Sequence, residues 1–317
     1  MSSTTTDPTY GYDLETLLTV GAPEPPDDFD EFWTALYGRA REVDVRARMI
    51  SESADLVGEG RVGYDVEFGS LGGIRLGGWL SLPTDAAPER GLVVGHGYGG
   101  REAPDPDPLL AEAAILFFCT RGLPSRGRQP GIPDTGAFHV LHGIASRETY
   151  VHGGSAADLW CAVSALTELV PSAAPRIDYV GGSFGGGIGA LALPWESRLG
   201  AACLEVPSFG NHPLRLTMPC TGSGEAVRTY AARRPEVVDV LRYFDAASAA
   251  TFLRTPTHVA AALADPAVPP PGQFAVHNAL AGPKELFVLT GGHMEYPGAE
   301  EEHRSLRTTQ RRFLRAH

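Results

Sequence analysis

The stretch IDYVGGSFGGGIGALAL, residues 177–193, carries the pattern that decides the fold. An apolar run at 177–180 leads into GGSFG at 181–185, which has the form G-x-S-x-G, and small residues follow. Small neighbours permit the strained turn between strand and helix that exposes a serine hydroxyl. The stretch therefore predicts a strand, a sharp turn and a close-packed helix, with Ser183 as a nucleophile. A glycine-rich turn without chemistry is the alternative, because 38 of the 317 residues are glycine.

Seven further strand-like runs surround this stretch. The first two, 64–68 and 74–82, are joined by a glycine-rich turn and predict an antiparallel hairpin at a sheet edge. The others are short, mostly continuous apolar runs typical of strands buried on both faces, and they lie at 92–95, 115–119, 201–206, 258–262 and 285–289. Helical patterns separate most of them. This order predicts an α/β fold with a mostly parallel, eight-stranded, doubly wound sheet whose active groups gather at the carboxyl ends of strands.

The chain organisation favours one elaborated domain. We predict an N-terminal extension at 1–25 and a single domain at 26–317. The connection at about 207–256 is long enough to cover a site at the sheet edge, so we interpret it as an inserted cap.

Composition restricts the partners. The net charge of −12 disfavours nucleic acid and anionic membrane surfaces, which leaves a small-molecule substrate. Neither a secretory signal pattern nor an apolar run of about 18 residues occurs, so we expect a cytoplasmic protein without a membrane contact. The four cysteines show no C-x-x-C spacing, which favours reduced thiols over disulfides or a zinc site.

A serine nucleophile needs a base and an orienting acid. Of the ten histidines, His293 directly follows the last strand-like run, and Asp265 lies just past the run before it. The resulting chain order of Ser183, Asp265 and His293 is the order of one known serine hydrolase fold. Glu205 is the alternative acid, and Asp265 could instead serve only as a turn residue ahead of prolines.

Two further features concern charge stabilisation and metals. Backbone amides of Tyr98, in the glycine-rich HGYGGR loop, and of Phe184 are expected to form an oxyanion hole. His139 and His142 form an H-x-x-H pattern, but no convincing third ligand lies nearby, so we predict no metal site.

Several landmarks together are more specific than G-x-S-x-G. They are FDEFW at 29–33, GW at 78–79, HGY at 96–98, RG at 121–122, RI at 176–177, GGS at 181–183, YFD at 243–245, Asp265 with the prolines at 269–270, and GH at 292–293. From about Pro26 to the C-terminus the chain resembles the acetyl xylan esterase and cephalosporin-C deacetylase family. The resemblance implies an α/β-hydrolase fold and removal of acetyl groups from sugar or antibiotic alcohols. It also implies a triad of Ser183, Asp265 and His293, no metal or organic cofactor, and a ring-shaped homo-oligomer.

The chain departs from the family beside the predicted site. Phe184 and Leu123 stand where the family has glutamine, and Met294 stands where it has glutamate. We interpret Phe184 and Leu123 as flanking the acyl-binding space, which would favour a hydrophobic alcohol over xylan, and we expect Arg121, Leu123 and Phe209 to contact the substrate. The alternative is that Phe184 and Leu123 fill the core behind the site.

The sequence thus predicts a serine ester hydrolase that acts through an acyl-enzyme. Two alternatives use the same residues: acyl transfer to another alcohol, and elimination of a carboxylate from an acylated natural product. A binding protein on the same scaffold is the non-enzymatic alternative.

Overall fold

The computed structural model describes residues 7–52 and 58–317 of the chain. The strands are β1 Arg48–Glu52, β2 Arg61–Ser70, β3 Ile74–Pro83, β4 Gly91–Val94, β5 Ala114–Phe118, β6 Ile177–Gly182, β7 Leu199–Glu205, β8 Thr257–Ala264 and β9 Lys284–Gly291. Within the described residues these nine strands form one sheet in the order β1-β2-β3-β5-β4-β6-β7-β8-β9. β1, β2 and β3 pair antiparallel, and all pairs from β5 onward in this order are parallel.

Helices cover this sheet and connect its strands. They are α1 Leu14–Leu17, α2 Phe29–Arg41, α3 Gly136–His139, α4 Val151–Leu169, α5 Phe184–Ala192, α6 His212–Arg215, α7 Ser223–Arg233, α8 Val237–Leu241, α9 Ala246–Ala250, α10 Pro270–Ala279 and α11 Ala299–Ala316. No helix in the described part of the chain is long and apolar enough to cross a membrane.

The predicted fold class is confirmed, with one correction to the sheet. Each of the eight strand-like runs overlaps a strand, but β1 adds a ninth strand and covers β2, so the β2–β3 hairpin does not form the edge. All five residues of β1 are exposed. An exposed strand has no buried face and therefore lacks the apolar alternation by which strands are recognised in a sequence.

The chain reverses direction across the sheet at β4. β5 lies on one side of β4, and α4 then carries the chain to β6 on the other side. Val94 and Val180, near the ends of β4 and β6, are register partners. The loops that follow these two strands therefore begin side by side at the carboxyl edge of the sheet, where doubly wound folds bind their ligands.

Two segments outside the central sheet pack on the same core. The connection predicted as a cap contains α6 to α9, and its Val227, Leu241 and Phe244 are buried in the main hydrophobic core. In the N-terminal extension Leu17 is fully buried, and the Asp265 amide donates to the Pro8 carbonyl oxygen at 2.9 Å. Both segments thus contribute to the surroundings of the carboxyl edge.

Candidate active site

Ser183 lies at the turn between β6 and α5. Its backbone has φ 54° and ψ −114°, and its amide donates to the Glu205 carbonyl oxygen at 2.8 Å. A Cβ atom at Gly181 would lie 2.5 Å from the Tyr179 hydroxyl, and one at Gly185 would lie 3.0 Å from the His96 amide nitrogen. The glycines of G-x-S-x-G are therefore required because the turn approaches neighbouring chain too closely for side chains.

His293 and Asp265 complete a continuous hydrogen-bond chain to this serine. The His293 Nε2 atom lies 2.9 Å from Ser183 Oγ, and its Nδ1 atom lies 2.8 Å from Asp265 Oδ2. A carboxylate only accepts, so Nδ1 carries the proton and Nε2 is free to accept from the serine hydroxyl. A Cβ atom at Gly292 would lie 2.1 Å from Asp265 Oδ2, which explains the glycine before the histidine.

The Asp265 carboxylate is fully buried and well supplied with donors. Its Oδ1 atom accepts from the amides of Ala267 at 2.9 Å and Val268 at 3.0 Å. Its Oδ2 atom accepts from Gln273 Nε2 at 3.0 Å as well as from His293. These donors hold the carboxylate in place against the imidazole.

Glu205, the alternative acid, has another partner. Its Oε1 atom accepts from Gln310 Nε2 of α11 at 2.7 Å. Within the described residues no hydrogen bond joins Glu205 to His293. Asp265 is therefore the acid that the structure brings to the imidazole.

Two backbone amides near the serine lack a protein acceptor in the described part of the chain. Neither the Tyr98 nor the Phe184 N–H donates to a protein acceptor within residues 7–52 and 58–317. The Tyr98 loop is held by His96, whose Nδ1 donates to the Gly97 oxygen at 2.8 Å while Nε2 accepts from the Thr120 amide at 3.0 Å. Burial lowers the pKa of His96 to about 4, so the ring stays neutral and keeps these bonds.

A cavity of about 290 Å³ opens at these groups. Besides Ser183 and His293, its wall is formed by Gly97, Tyr98, Gly99, Ser208, Phe209, Arg215, Gly222, Ser223, Ala267 and Val268. Phe209, predicted to contact the substrate, is thus in the wall. The volume suits a small ester and excludes a long polymer from full enclosure.

Arg121, also predicted to contact the substrate, does not reach this cavity. Its guanidinium pairs with the fully buried Asp158 of α4, with Nη2 at 2.7 Å from Oδ1, and donates to the Leu71 oxygen at 3.0 Å. The structure therefore does not bring Arg121 to the cavity, because its guanidinium is held by the buried carboxylate on α4. Arg121 instead joins the β2–β3 turn to α4.

The interpretation of Leu123 and Phe184 as flanking the acyl-binding space is also corrected. Both side chains are fully buried in the main core, and neither contributes to the cavity wall. The Phe184 ring packs on Tyr98, with 4.4 Å between centroids, and so supports the wall from behind. The predicted preference for a hydrophobic alcohol loses its basis, and the alternative of core filling agrees with the structure.

The double change Phe184→Gln with Leu123→Gln is therefore expected to destabilise the protein. It buries two amides among apolar side chains, which together should lower the free energy of unfolding by about 4 kcal/mol or more. Urea unfolding measures this. Phe138→Gln is the matched control, because Phe138 is 68% exposed and should change stability by less than about 0.5 kcal/mol. An unchanged stability with altered selectivity between aryl and sugar acetates would restore the acyl-pocket interpretation.

The first histidine of the H-x-x-H pattern has a structural role. His139 is fully buried, and its Nε2 atom lies 2.9 Å from the Arg121 carbonyl oxygen. In the described parts of the chain, no group of three or more His, Cys, Asp or Glu side chains could hold a metal ion.

The sequence reasoning missed two residues of the site. Gln273 donates a hydrogen bond to Asp265, the candidate orienting acid, and Arg215 lies in the cavity wall. Neither belongs to a recognisable motif. The prolines at 269–270 predict a helix start, and the position of Gln273 on its first turn is the one signal that could have indicated a role near Asp265.

Comparison with known proteins identifies a family and related folds. Residues 12–311 match the sequence model of the acetyl xylan esterase family. The chain is similar to an acetyl xylan esterase from Paenibacillus sp. R4, with TM-score 0.79, 25% identity and coverage of 94% of this chain and 99% of that one. The fold also matches acetyl xylan esterase 1 from Thermoanaerobacterium sp. JW/SL YS485, with TM-score 0.79, 20% identity and coverage of 94% and 98%. An acylaminoacyl peptidase from Pyrococcus horikoshii matches in fold, with TM-score 0.59, 16% identity and coverage of 78% and 40%.

Proposed function

Because the chain belongs to the acetyl xylan esterase family and is a carboxylic ester hydrolase, we propose that it removes short acyl groups, acetyl foremost, from alcohol esters through an acyl-enzyme. One observation carries the mechanism. The hydrogen-bond chain from Asp265 through His293 to Ser183 ends in a small cavity beside two amides that have no acceptor among the described residues.

Acylation uses these groups in sequence. Ser183 Oγ attacks the ester carbonyl carbon while His293 Nε2 takes the hydroxyl proton, and the carbonyl electrons move to oxygen. The amides of Tyr98 and Phe184 stabilise this oxyanion. The carbon–oxygen bond to the alcohol then breaks, and His293 returns the proton to the leaving oxygen.

Deacylation repeats the steps with water. Water gives a proton to His293 Nε2 and attacks the acyl carbon, and the bond to Ser183 Oγ breaks as that oxygen regains a proton. The buried Asp265 carboxylate stabilises the imidazolium formed in each half-reaction and keeps the ring in one orientation. The product is a free carboxylic acid.

The acyltransferase and lyase alternatives differ in their products. Hydrolysis in H₂¹⁸O places one labelled oxygen in the released acid, acyl transfer gives a new ester, and elimination gives an unsaturated product without labelled acid. The cavity volume of about 290 Å³ leaves room for water beside a small acyl group, which supports hydrolysis. The cytoplasmic location and the homo-oligomer stay predictions.

The test is hydrolysis of a substrate panel. We expect turnover of 4-nitrophenyl acetate, followed by its chromophore, and measurable release of acetate from small sugar acetates or acylated polyketides. A fluorophosphonate should label the protein once, on the peptide that contains Ser183. Absence of both turnover and labelling in folded protein would favour the binding-protein alternative.

A further inference from the structure

Arg215, at the end of α6, is a buried cation in the cavity wall that has no carboxylate partner in the described part of the chain. Its side chain is deeply buried, with 6% of the residue exposed, and it lines the same cavity as Ser183 and His293. Within residues 7–52 and 58–317 it forms no ion pair, and its one side-chain hydrogen bond is from Nη2 to Cys220 Sγ at 3.5 Å. A thiol sulfur is a weak acceptor, so most of the guanidinium's donors lack a strong partner.

Another buried arginine of the protein shows the contrast. Arg90 is 8% exposed, close to the 6% of Arg215, and it pairs with the fully buried Asp178. The next acid after Arg215 in the sequence is engaged elsewhere. Glu225 accepts from Arg228 at 2.6 and 2.8 Å and from the Cys220 amide at 3.2 Å.

The chain makes space for this arginine. A Cβ atom at Gly224 would lie 0.9 Å from Arg215 Nη2, so any larger residue there would displace the guanidinium from this position. The neighbouring Gly222 and Ser223 also line the cavity, and no side chain caps the N-terminus of α7. The positive end of an 11-residue helix therefore adds to the guanidinium charge on this side of the cavity.

A buried guanidinium without an anion is costly, and the planar fork matches a carboxylate in two parallel hydrogen bonds. We propose that Arg215 binds a carboxylate of the substrate, so that the preferred ester carries one negative charge. The proposal rests on the proposed function of Ser183, because it concerns the same cavity. On a protein of net charge −12, a cation at the site offsets the repulsion that an anionic ester would meet.

Two pairs of esters test where the carboxylate lies. The alcohol side is tested by 3-acetoxybenzoate against phenyl acetate, and the acyl side by 4-nitrophenyl hemisuccinate against 4-nitrophenyl butyrate. We expect the wild type to have a higher kcat/KM for the charged ester than for the neutral one in one of these two pairs, and that pair identifies the side on which the carboxylate lies. Arg215→Met should lower kcat/KM for that ester about 10- to 100-fold and change the neutral partner by less than about threefold. Arg215→Lys should retain part of the preference.

Arg234→Met is the matched control, since it removes a cation that is 67% exposed at the end of α7 and should leave both ratios unchanged. Equal losses for charged and neutral esters in Arg215→Met would overturn the proposal and make Arg215 a packing residue. If that variant does not fold, the wild type decides: 3-hydroxybenzoate and succinate should each be compared with their methyl esters as inhibitors. If neither acid inhibits more strongly than its methyl ester, the proposal is overturned. Hydrolysis of no ester at all would instead contradict the proposed function.

Discussion

Replacement of Ser183 by alanine is expected to lower kcat for 4-nitrophenyl acetate about 10⁶-fold with the fold intact. The hydroxyl oxygen is the attacking atom, and its one hydrogen bond to a protein group in the described residues is to His293 Nε2. Alanine keeps the Cβ atom and therefore tolerates the backbone at φ 54° as serine does. Removal of the oxygen should change the free energy of unfolding by less than about 1 kcal/mol.

The background rate of 4-nitrophenyl acetate hydrolysis is measured with wild type whose Ser183 has been blocked by a fluorophosphonate. Thermal unfolding followed by circular dichroism reports whether the variant is folded. Ser208→Ala is the matched control, because it removes a hydroxyl from the wall of the same cavity. We expect the control to keep activity within tenfold. Activity of Ser183→Ala within tenfold of wild type would remove Ser183 from the mechanism.

Local patterns predict the strands because burial on both faces leaves a continuous apolar run. β7 and β8, for example, are almost entirely buried, and both were recognised. The same logic places Ser183, Asp265 and His293 at strand ends, since parallel strands end at one edge of the sheet. β1 escapes this reasoning because all its residues are exposed and its one neighbour is β2.

The direction of a side chain beyond a strand end depends on partners that are distant in sequence. Arg121 follows β5 as a substrate-binding residue would, yet its pairing with Asp158 is made across 37 positions. Arg215 shows the reverse case. Its place in the cavity depends on the glycine at position 224 and on the engagement of Glu225 by Arg228, and neither condition has a sequence pattern.

Asp265→Asn is expected to lower kcat about 10⁴-fold, because the amide reverses the tautomer of His293. The amides of Ala267 and Val268 both donate to Oδ1, so the asparagine oxygen must occupy that position. Its NH₂ group then faces His293 Nδ1 and becomes a donor where an acceptor is needed. Nδ1 must accept, the ring proton moves to Nε2, and Nε2 can no longer take the proton of Ser183.

The same substitution also opposes the Gln273 NH₂ group, which donates to Oδ2 at 3.0 Å. Asp265→Asn with Gln273→Glu separates the two effects, since a protonated carboxyl at 273 can accept from the new amide and donate to the Val268 carbonyl oxygen, as Gln273 Nε2 does at 2.6 Å. We expect this double variant to regain stability and not activity, because the reversed tautomer of His293 persists. Glu205→Gln is the matched amide change at the alternative acid, whose oxygen accepts from Gln310. Its kcat should stay within tenfold of wild type, and a larger loss for Glu205→Gln than for Asp265→Asn would make Glu205 the orienting acid.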